Sequence, residues 1–295
     1  MSVDGPAEPV VPGKDGTPRA RAPVRAGRNL PAALGVGVAL GGLAIVTLFT
    51  LKATFLIYLA AAIAIALWEL SRALRARDIS LPLVPVAAGG TAAIALAYWW
   101  GERALVACVA ITMIVILAWR LPGGTVGYLR DVTAGAFALI YLPLMAGFAS
   151  LMLAAPDGSR RTLLFLILGV CSDIGGYAIG VLIGRHLMVP TISPKKTWEG
   201  FGGSALACLV AGAVALPLLL HGAAWQGLLI GAAALLAATL GDLTESMIKR
   251  DLQIKDMGSV LPGHGGVLDR IDSLALAAPV VWLLLLAFIP VAGQG

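Results

Sequence analysis

The chain has 295 residues, of which 59% are hydrophobic and 13% are charged, and its mean hydropathy is +0.92. A soluble domain carries about 25% charged residues, so this composition excludes an ordinary soluble protein and predicts an all-α, polytopic integral membrane protein. The net charge of +5 does not indicate a nucleic-acid partner, because basic loops facing the cytoplasm and anionic lipid headgroups give membrane proteins the same excess.

The first 29 residues differ in composition from the rest of the chain. They contain five prolines, several glycines and five basic residues, with too little apolar surface to form a core. We expect a disordered basic tail in the cytoplasm. It is not a signal peptide, because about thirty residues precede the first apolar run.

The rest of the chain alternates between apolar runs and short polar links, which predicts about nine membrane-spanning helices. Their expected bounds are 30–51, 54–70, 81–100, 104–119, 131–154, 162–184, 201–221, 224–241 and 273–291. Five spans form an N-terminal region over 30–154. The last four form a catalytic region over 155–295, with polar loops at 185–200 and 242–272.

The positions of the basic residues predict the orientation of the chain. If nine spans alternate sides, all but four of the 21 Lys and Arg residues fall on the side of the N-terminal tail. The four are Lys52, Arg103, Arg160 and Arg161. Cytoplasmic loops carry such an excess. We therefore expect a multi-pass protein of the plasma or inner membrane, with the N-terminus and both long polar loops in the cytoplasm and the C-terminus outside.

Charged side chains are concentrated in the loop at 242–272. If the eighth span continues into it as a helix, Asp242, Glu245, Ser246 and Lys249 stand at i, i+3, i+4 and i+7. Residues at this spacing share one face of a helix. The segment therefore presents a polar stripe beside apolar surface.

At the other end of this loop, Asp269 and Asp272 lie where the ninth span begins. Acidic residues at a helix N-terminus are also good capping groups, and this alternative stays open. The run at 262–266 has three glycines, so its backbone can approach a ligand and point its N–H groups inward. With carboxylates on both sides and Arg250 and Arg270 nearby, the loop looks like a cradle for phosphates and Mg²⁺. Two metal ions can clamp the oxygens of a displacement at phosphorus.

Asp173 lies inside the otherwise apolar sixth span. A carboxylate there is costly unless it faces a cavity or a partner, so a functional site is the first hypothesis. The alternative is a structural carboxylate that is hydrogen-bonded to a neighbouring helix.

Two adjacent lysines, Lys195 and Lys196, follow this span between Ser193 and Thr197. Beside two hydroxyls they suggest an anion site, and an ordinary basic flank of the membrane is an equal alternative. Glu69, near the cytoplasmic end of the second span, is as consistent with a side chain that snorkels to the interface as with a functional one.

These motifs resemble those of the phosphatidate cytidylyltransferases, also called CDP-diacylglycerol synthases. The chain reads SMIKR at 246–250, KD at 255–256, LPGHGG at 261–266 and DRIDS at 269–273, in the family's order, and SPKKTWEG at 193–200 is similar to a second family stretch. The resemblance is close over 171–273 and looser over 30–291. One departure is Ile174, where the family commonly has Thr or Ser.

The resemblance implies an enzyme of phospholipid biosynthesis that transfers a cytidylyl group from CTP to phosphatidate, giving CDP-diacylglycerol and pyrophosphate. It also implies a Mg²⁺ centre, with K⁺ as a second ion, and a homodimer among membrane lipids. The implied metal ligands are Asp173, Asp242, Asp269 and Asp272. The implied catalytic residues are Asp242, Lys249, Arg250, Asp269 and Asp272. The implied substrate-binding residues are Asp173, Ser193, Lys195, Lys196, Thr197, Glu245, Ser246, His264, Gly265, Gly266 and Arg270.

Two other functions stay open at this point. A CTP-dependent kinase of a polyprenol such as dolichol would share a CTP site but transfer the γ-phosphate. An ion-coupled transporter would line its path with Asp173 and Asp242. The sequence gives less support to a transporter, because it shows no internal repeat and its charges concentrate at one face of the membrane.

Overall fold

The computed structural model describes residues 30–261 and 265–290, with side chains from residue 35 onward except that of Val36. Most of these residues are helical, and several helices are long and apolar, so the predicted all-α membrane fold is confirmed. The basic tail expected at 1–29 lies outside the described residues.

The helices follow one another with short connections. They are α1 (Leu30–Thr50), α2 (Lys52–Arg75), α3 (Leu83–Arg120), α4 (Tyr128–Leu139), α5 (Met145–Ala154), α6 (Gly158–Ile183), α7 (Trp198–Leu220), α8 (Ala224–Asp251) and α9 (Leu268–Phe288). A π-helical stretch, Ile140–Leu144, joins α4 to α5, because Pro143 has no N–H to continue the α-helical pattern. Two antiparallel strands, β1 (Leu187–Val189) and β2 (Ser193–Thr197), form a hairpin between α6 and α7.

Seven helical segments of the described chain are long and apolar enough to cross a membrane, so the predicted count of nine is not confirmed. The difference arises at two places. In α1, the apolar helix found within the described residues is the shorter stretch Gly37–Thr50. In α3, two predicted spans fall within a single segment, Leu83–Gly123.

The helix α3 turns back on itself at Gly101. This residue has a φ of 77°, a left-handed value that glycine adopts readily. The Cys108 thiol donates to the carbonyl oxygen of Gly89 at 3.5 Å, and a Cβ on Gly89 would meet the side chain of Thr112. The two halves of α3 are therefore antiparallel, and the spans predicted at 81–100 and 104–119 lie side by side.

Two apolar clusters hold the helices together. The first joins α2, α3 and α4 through side chains such as Leu67, Ile94 and Leu139. The second joins the five helices from α5 through α9 and includes Met152 and Leu168. Many large apolar side chains outside these clusters are exposed, as expected for a protein whose outer surface faces lipid tails.

A buried ion cluster fixes the ends of α3 and α4. Asp131 accepts the N–H of Ser80 at 2.9 Å, Nε of Arg120 at 2.9 Å and Nε of Arg130 at 3.3 Å. Asp131 is fully buried, so these donors replace the water that an ionised carboxylate requires. No pattern in the sequence distinguishes this residue, because one acidic residue near a basic loop is not distinctive.

The helices α6, α7 and α8 approach one another closely because glycines face each other at their crossings. Gly175 of α6 lies against Gly203 of α7, and Gly212 of α7 lies against Gly227 of α8. Small residues at such crossings let helix backbones come together in lipid, where packing drives association. This packing brings the polar residues of α6 and α8 to the same side of α7.

We predict that Gly212→Ala destabilises the protein, because its new Cβ would lie 2.1 Å from the carbonyl oxygen of Gly227. We expect a loss of about 1–3 kcal/mol, typical of overpacking. The measurement is the midpoint of thermal unfolding in detergent micelles. The matched control is Gly202→Ala on the same helix, where a Cβ meets no described atom within 4 Å. Equal midpoints for the two variants would contradict the close α7–α8 contact.

Candidate functional site

A cavity of about 330 Å³ lies among α6, the β1–β2 hairpin, α7, α8 and the start of α9. Of the predicted site residues, its lining includes Asp173, Ser193, Lys195, Lys196, Thr197 and Asp242. Three segments that are distant in the sequence therefore bring polar side chains to one open cavity.

One face of α6 forms a wall of this cavity. Asp173, Gly176, Tyr177 and Gly180 stand at i, i+3, i+4 and i+7 and line the cavity together. The side chain of Asp173 is exposed there, and the charged side chains of Lys196 and Asp242 line the same cavity. A carboxylate on a membrane helix is stable in such a setting, because water and cations can compensate its charge.

Ile174 occupies the position at which the resembling family commonly has Thr or Ser. Its side chain is 63% exposed. It stands about 100° around the helix from Asp173. The apolar side chain is thus on a lipid-accessible part of α6, next to the wall that carries Asp173.

The hairpin is tied to α8 at two points. Lys196 Nζ lies 2.7 Å from Asp242 Oδ2, and Arg250 Nε donates to the carbonyl oxygen of Ile192 at 3.1 Å. At the base of the hairpin, Thr197 caps α7 by accepting the N–H of Gly200. The sequence places Arg250 near a predicted phosphate site. In the structure, its Nε binds the hairpin.

Glu199, in the first turn of α7, holds the other end of the hairpin. Its carboxylate accepts the backbone N–H of Arg185 at 3.1 Å and that of His186 at 3.2 Å, and it lies 2.6 Å from Nδ1 of the His186 ring. The chain that leaves α6 is thereby fixed to the beginning of α7. This contact keeps Lys195 and Lys196 beside the cavity.

A second group of charged residues joins α8 to the start of α9. Lys249 Nζ lies 2.5 Å from Glu245 Oε2 and 2.8 Å from Asp269 Oδ1. The other oxygen of Asp269 accepts the N–H of Gly266 at 2.8 Å and that of Met257 at 3.0 Å. Asp269 is therefore bonded through both oxygens; its backbone donors belong to the loop before α9, and no side chain caps the helix itself.

The crossing of α8 and α9 brings further carboxylates together. Gly241 lies against the backbone of Asp272, where a Cβ would approach the carbonyl oxygen to 2.4 Å. Asp242 follows directly and accepts a hydrogen bond from Ser246 Oγ at 3.3 Å. Glu245 and Asp272 are both buried. Asp242, Glu245 and Asp272 thus share one region, with Lys249 as its neighbouring cation.

The carboxylates in this region have the chemistry of a site for a hard cation. All of them offer oxygen ligands, which Mg²⁺ prefers, and the ammonium groups of Lys196 and Lys249 already contact Asp242 and Asp269. Within the described residues, however, no three Asp, Glu, His or Cys side chains are arranged as a ready-made metal site. Metal binding would therefore require side chains to turn from their present partners.

The glycine-rich loop is described in part, since Pro262, Gly263 and the predicted His264 lie outside the described residues. Gly265 has a φ of 85°, and its carbonyl oxygen accepts the N–H of Leu261 at 3.0 Å, which closes the loop. The N–H of Gly266 points to Asp269, not to the cavity. Arg270 lies in the first turn of α9.

The sequence does not decide whether the side chain of Glu69 snorkels to the interface or has a function. Its side chain does not snorkel to the interface but is buried, with 1% exposed, and Oε2 accepts the N–H of Leu268 at 2.9 Å. A single acid near the end of an apolar span fits either role. The sequence offers no sign of its partner, because that partner is a backbone amide in a distant segment.

Comparisons with known proteins bear on the family of the chain. The profile of the cytidylyltransferase family matches residues 32–288. A phosphatidate cytidylyltransferase of Mycobacterium leprae is 39% identical over 88% of this chain and 89% of its own. Proteins of the same name from Mycobacterium tuberculosis and Pseudomonas aeruginosa are 38% and 35% identical, over 88% and 85% of this chain and 84% and 93% of their own.

We predict that Arg250→Ala loosens the β1–β2 hairpin, because it removes one of the two contacts with α8. Losing a hydrogen bond of this kind corresponds to about a 2- to 10-fold higher population of the open hairpin. The measurement is the initial rate of chymotrypsin cleavage at Leu187 and Met188 in detergent micelles. The control is Arg72→Ala, which removes an arginine that lies over the Trp68 ring on α2. Equal cleavage rates in the two variants would contradict the tether.

Proposed function

The chain belongs to the cytidylyltransferase family, and from that premise we propose that it is a phosphatidate cytidylyltransferase. It converts CTP and phosphatidate into CDP-diacylglycerol and pyrophosphate. The observation that carries this proposal is a cavity among apolar helices lined by Asp173, Lys196 and Asp242. Such a cavity offers cationic and acidic groups to phosphates at the edge of a lipid phase, which suits one polar and one lipid substrate.

The reaction is a displacement at phosphorus. An oxygen of the phosphatidate phosphate forms a bond to the α-phosphorus of CTP, and the bond from that phosphorus to the bridging oxygen of the β-phosphate breaks. Pyrophosphate leaves with that oxygen. The attacking group is already an anion, so the protein has little proton transfer to perform. Its task is to position the two substrates and to neutralise their charges.

The hairpin supplies the groups that hold phosphate in this proposal. Lys195 and Lys196 line the cavity with the hydroxyls of Ser193 and Thr197, and ammonium and hydroxyl groups are donors that phosphate oxygens accept. Lys196 would exchange its contact with Asp242 for a contact with substrate. Arg250 would act on the substrate through the hairpin that it holds, since its Nε binds Ile192.

The carboxylates would hold Mg²⁺. Asp242 and Asp272 are the ligands that we propose first, with Asp173 across the cavity as a further one. Asp269 would have to release Lys249 to join them. Bound Mg²⁺ would supply charge neutralisation at the phosphates. K⁺ as a second ion is likewise part of the proposal, since carbonyl and carboxylate oxygens suit it too.

The distribution of basic residues supports an orientation with the N-terminus, both polar loops and the cavity facing the cytoplasm, in the plasma or inner membrane. This orientation places the hairpin lysines on the side where soluble nucleotides are found. The association of two copies into a homodimer is also proposed, on the strength of the resemblance alone.

We predict that the purified protein in detergent micelles transfers label from α-labelled CTP to phosphatidate. Asp242→Asn should lower the rate at least about 100-fold, because it removes a charged oxygen ligand of the Mg²⁺ that would neutralise the phosphates. The matched control is Asp251→Asn, an exposed carboxylate at the end of the same helix, which should retain the wild-type rate. Label from γ-labelled CTP in a polyprenol, with none from α-labelled CTP in phosphatidate, would contradict the proposal in favour of a kinase.

We also predict that chelation of divalent cations stops the transfer and that added Mg²⁺ restores it, because the proposed ligands are all oxygen atoms. The measurement is the same labelling assay after treatment with EDTA, followed by titration with MgCl₂. Transfer at the full rate in excess EDTA would contradict the proposed metal centre while leaving the proposed reaction untouched.

A further inference from the structure

We propose that Glu69 of α2 is a positioning residue. It fixes the loop before α9 and thereby determines where the carboxylates of α9 lie. This inference rests on the proposed function for its kinetic part. Its structural part, which concerns the contact between Glu69 and the loop, is independent of that function.

Two backbone amides turn toward two carboxylates at the beginning of α9. The N–H of Gly266 donates to Asp269, while the N–H of Leu268 donates to Glu69. Glu69 and Asp269 therefore hold the same turn from opposite sides. A shift of either carboxylate would move the turn and the first residues of α9 with it.

The contact with Glu69 supplies a hydrogen-bond acceptor that the residues at the beginning of α9 do not provide. The first amides of a helix have no partner within the helix, and an anionic group near them is favourable. The residue at the N-cap position is Val267, which has no side-chain oxygen and makes no capping hydrogen bond. Glu69 supplies the acceptor from α2, 199 positions earlier in the sequence.

Two glycines leave room for the Glu69 carboxylate. A Cβ on Gly258 would approach Oε1 to 2.2 Å, and a Cβ on Gly266 would approach Oε2 to 2.6 Å. The segments on both sides of the glycine-rich loop therefore fold directly against this one side chain. Among the described residues, Oε1 has no hydrogen-bond partner, so glutamine can place its NH₂ group there and keep the acceptor for Leu268.

The turn that Glu69 holds leads directly into the candidate site. Asp269 lies one residue after Leu268 and contacts Lys249, which contacts Glu245. Asp272 lies one helical turn further on and is buried against α8. Glu69 thus touches neither the cavity nor the proposed ligands, but its hydrogen bonds determine where the ligands of α9 stand.

The first test is hydrogen–deuterium exchange of the full-length protein in detergent micelles. Glu69→Ala should speed exchange at the amide of Leu268 about tenfold or more, and Glu69→Gln should return it toward the wild-type rate. The hairpin at 187–197 should exchange at the wild-type rate in both variants. Unchanged exchange over 265–272 in Glu69→Ala, or an equal increase throughout the protein, would overturn the proposal.

The second test separates positioning from a loss of stability. Glu69→Ala should lower kcat for cytidylyl transfer about 10- to 100-fold and change the KM for phosphatidate by less than about twofold, with much of kcat recovered in Glu69→Gln. The matched control is Leu70→Ala, which removes the buried side chain next in sequence. It should lower the midpoint of thermal unfolding but leave kcat near the wild-type value. An equal fall of kcat in Leu70→Ala would overturn the positioning role.

A wild-type protein that transfers no label to phosphatidate would refute the proposed function. The exchange experiment would still decide whether Glu69 holds the loop, because it needs neither substrate nor turnover. The two failures are therefore distinguishable.

Discussion

A carboxylate among membrane helices is stable only where a cation, a hydrogen-bond donor or water compensates its charge, and this constraint shapes the whole polar region of the protein. Asp131 meets it with two arginines and an amide. Glu245 and Asp269 meet it with the shared ammonium group of Lys249. Asp173 meets it by facing an open cavity. The contacts of Asp131 and Lys249 also join segments that are separate in the sequence, so the compensation of charge helps to fix the geometry of the polar region.

Close helix packing makes these contacts reachable. Facing glycines let α6, α7 and α8 cross with their backbones nearly touching, and Gly241 lets α8 meet α9 in the same way beside Asp272. A larger residue at these crossings would separate the helices and widen the gaps between charged groups, and the Coulomb attraction between paired charges falls as that separation grows. The abundant glycine of the chain therefore supports the electrostatics of the site as well as the packing.

Much of this arrangement could be predicted from the sequence. Composition predicts the membrane fold, and helical spacing correctly places Asp242, Glu245, Ser246 and Lys249 on one stretch of α8. Other features depend on contacts that no local pattern encodes. The reversal at Gly101 makes one continuous element of two predicted spans, because a single glycine suffices for the turn. The β1–β2 hairpin forms in a segment predicted only as a loop, and Arg250 reaches a backbone oxygen there. The sequence supports two interpretations of Glu69 equally, because its hydrogen-bond partner, Leu268, lies in a distant segment.

The contact between Glu69 and Leu268 also has a consequence for biosynthesis. These residues are 199 positions apart, and the chain between them includes most of the membrane helices. During translation the early helices enter the membrane long before α9 leaves the ribosome, so the Glu69 carboxylate of α2 must remain there without its final partner. The polar region is completed only by the last helix, and a nascent chain that lacks it has no assembled site with which to consume nucleotide.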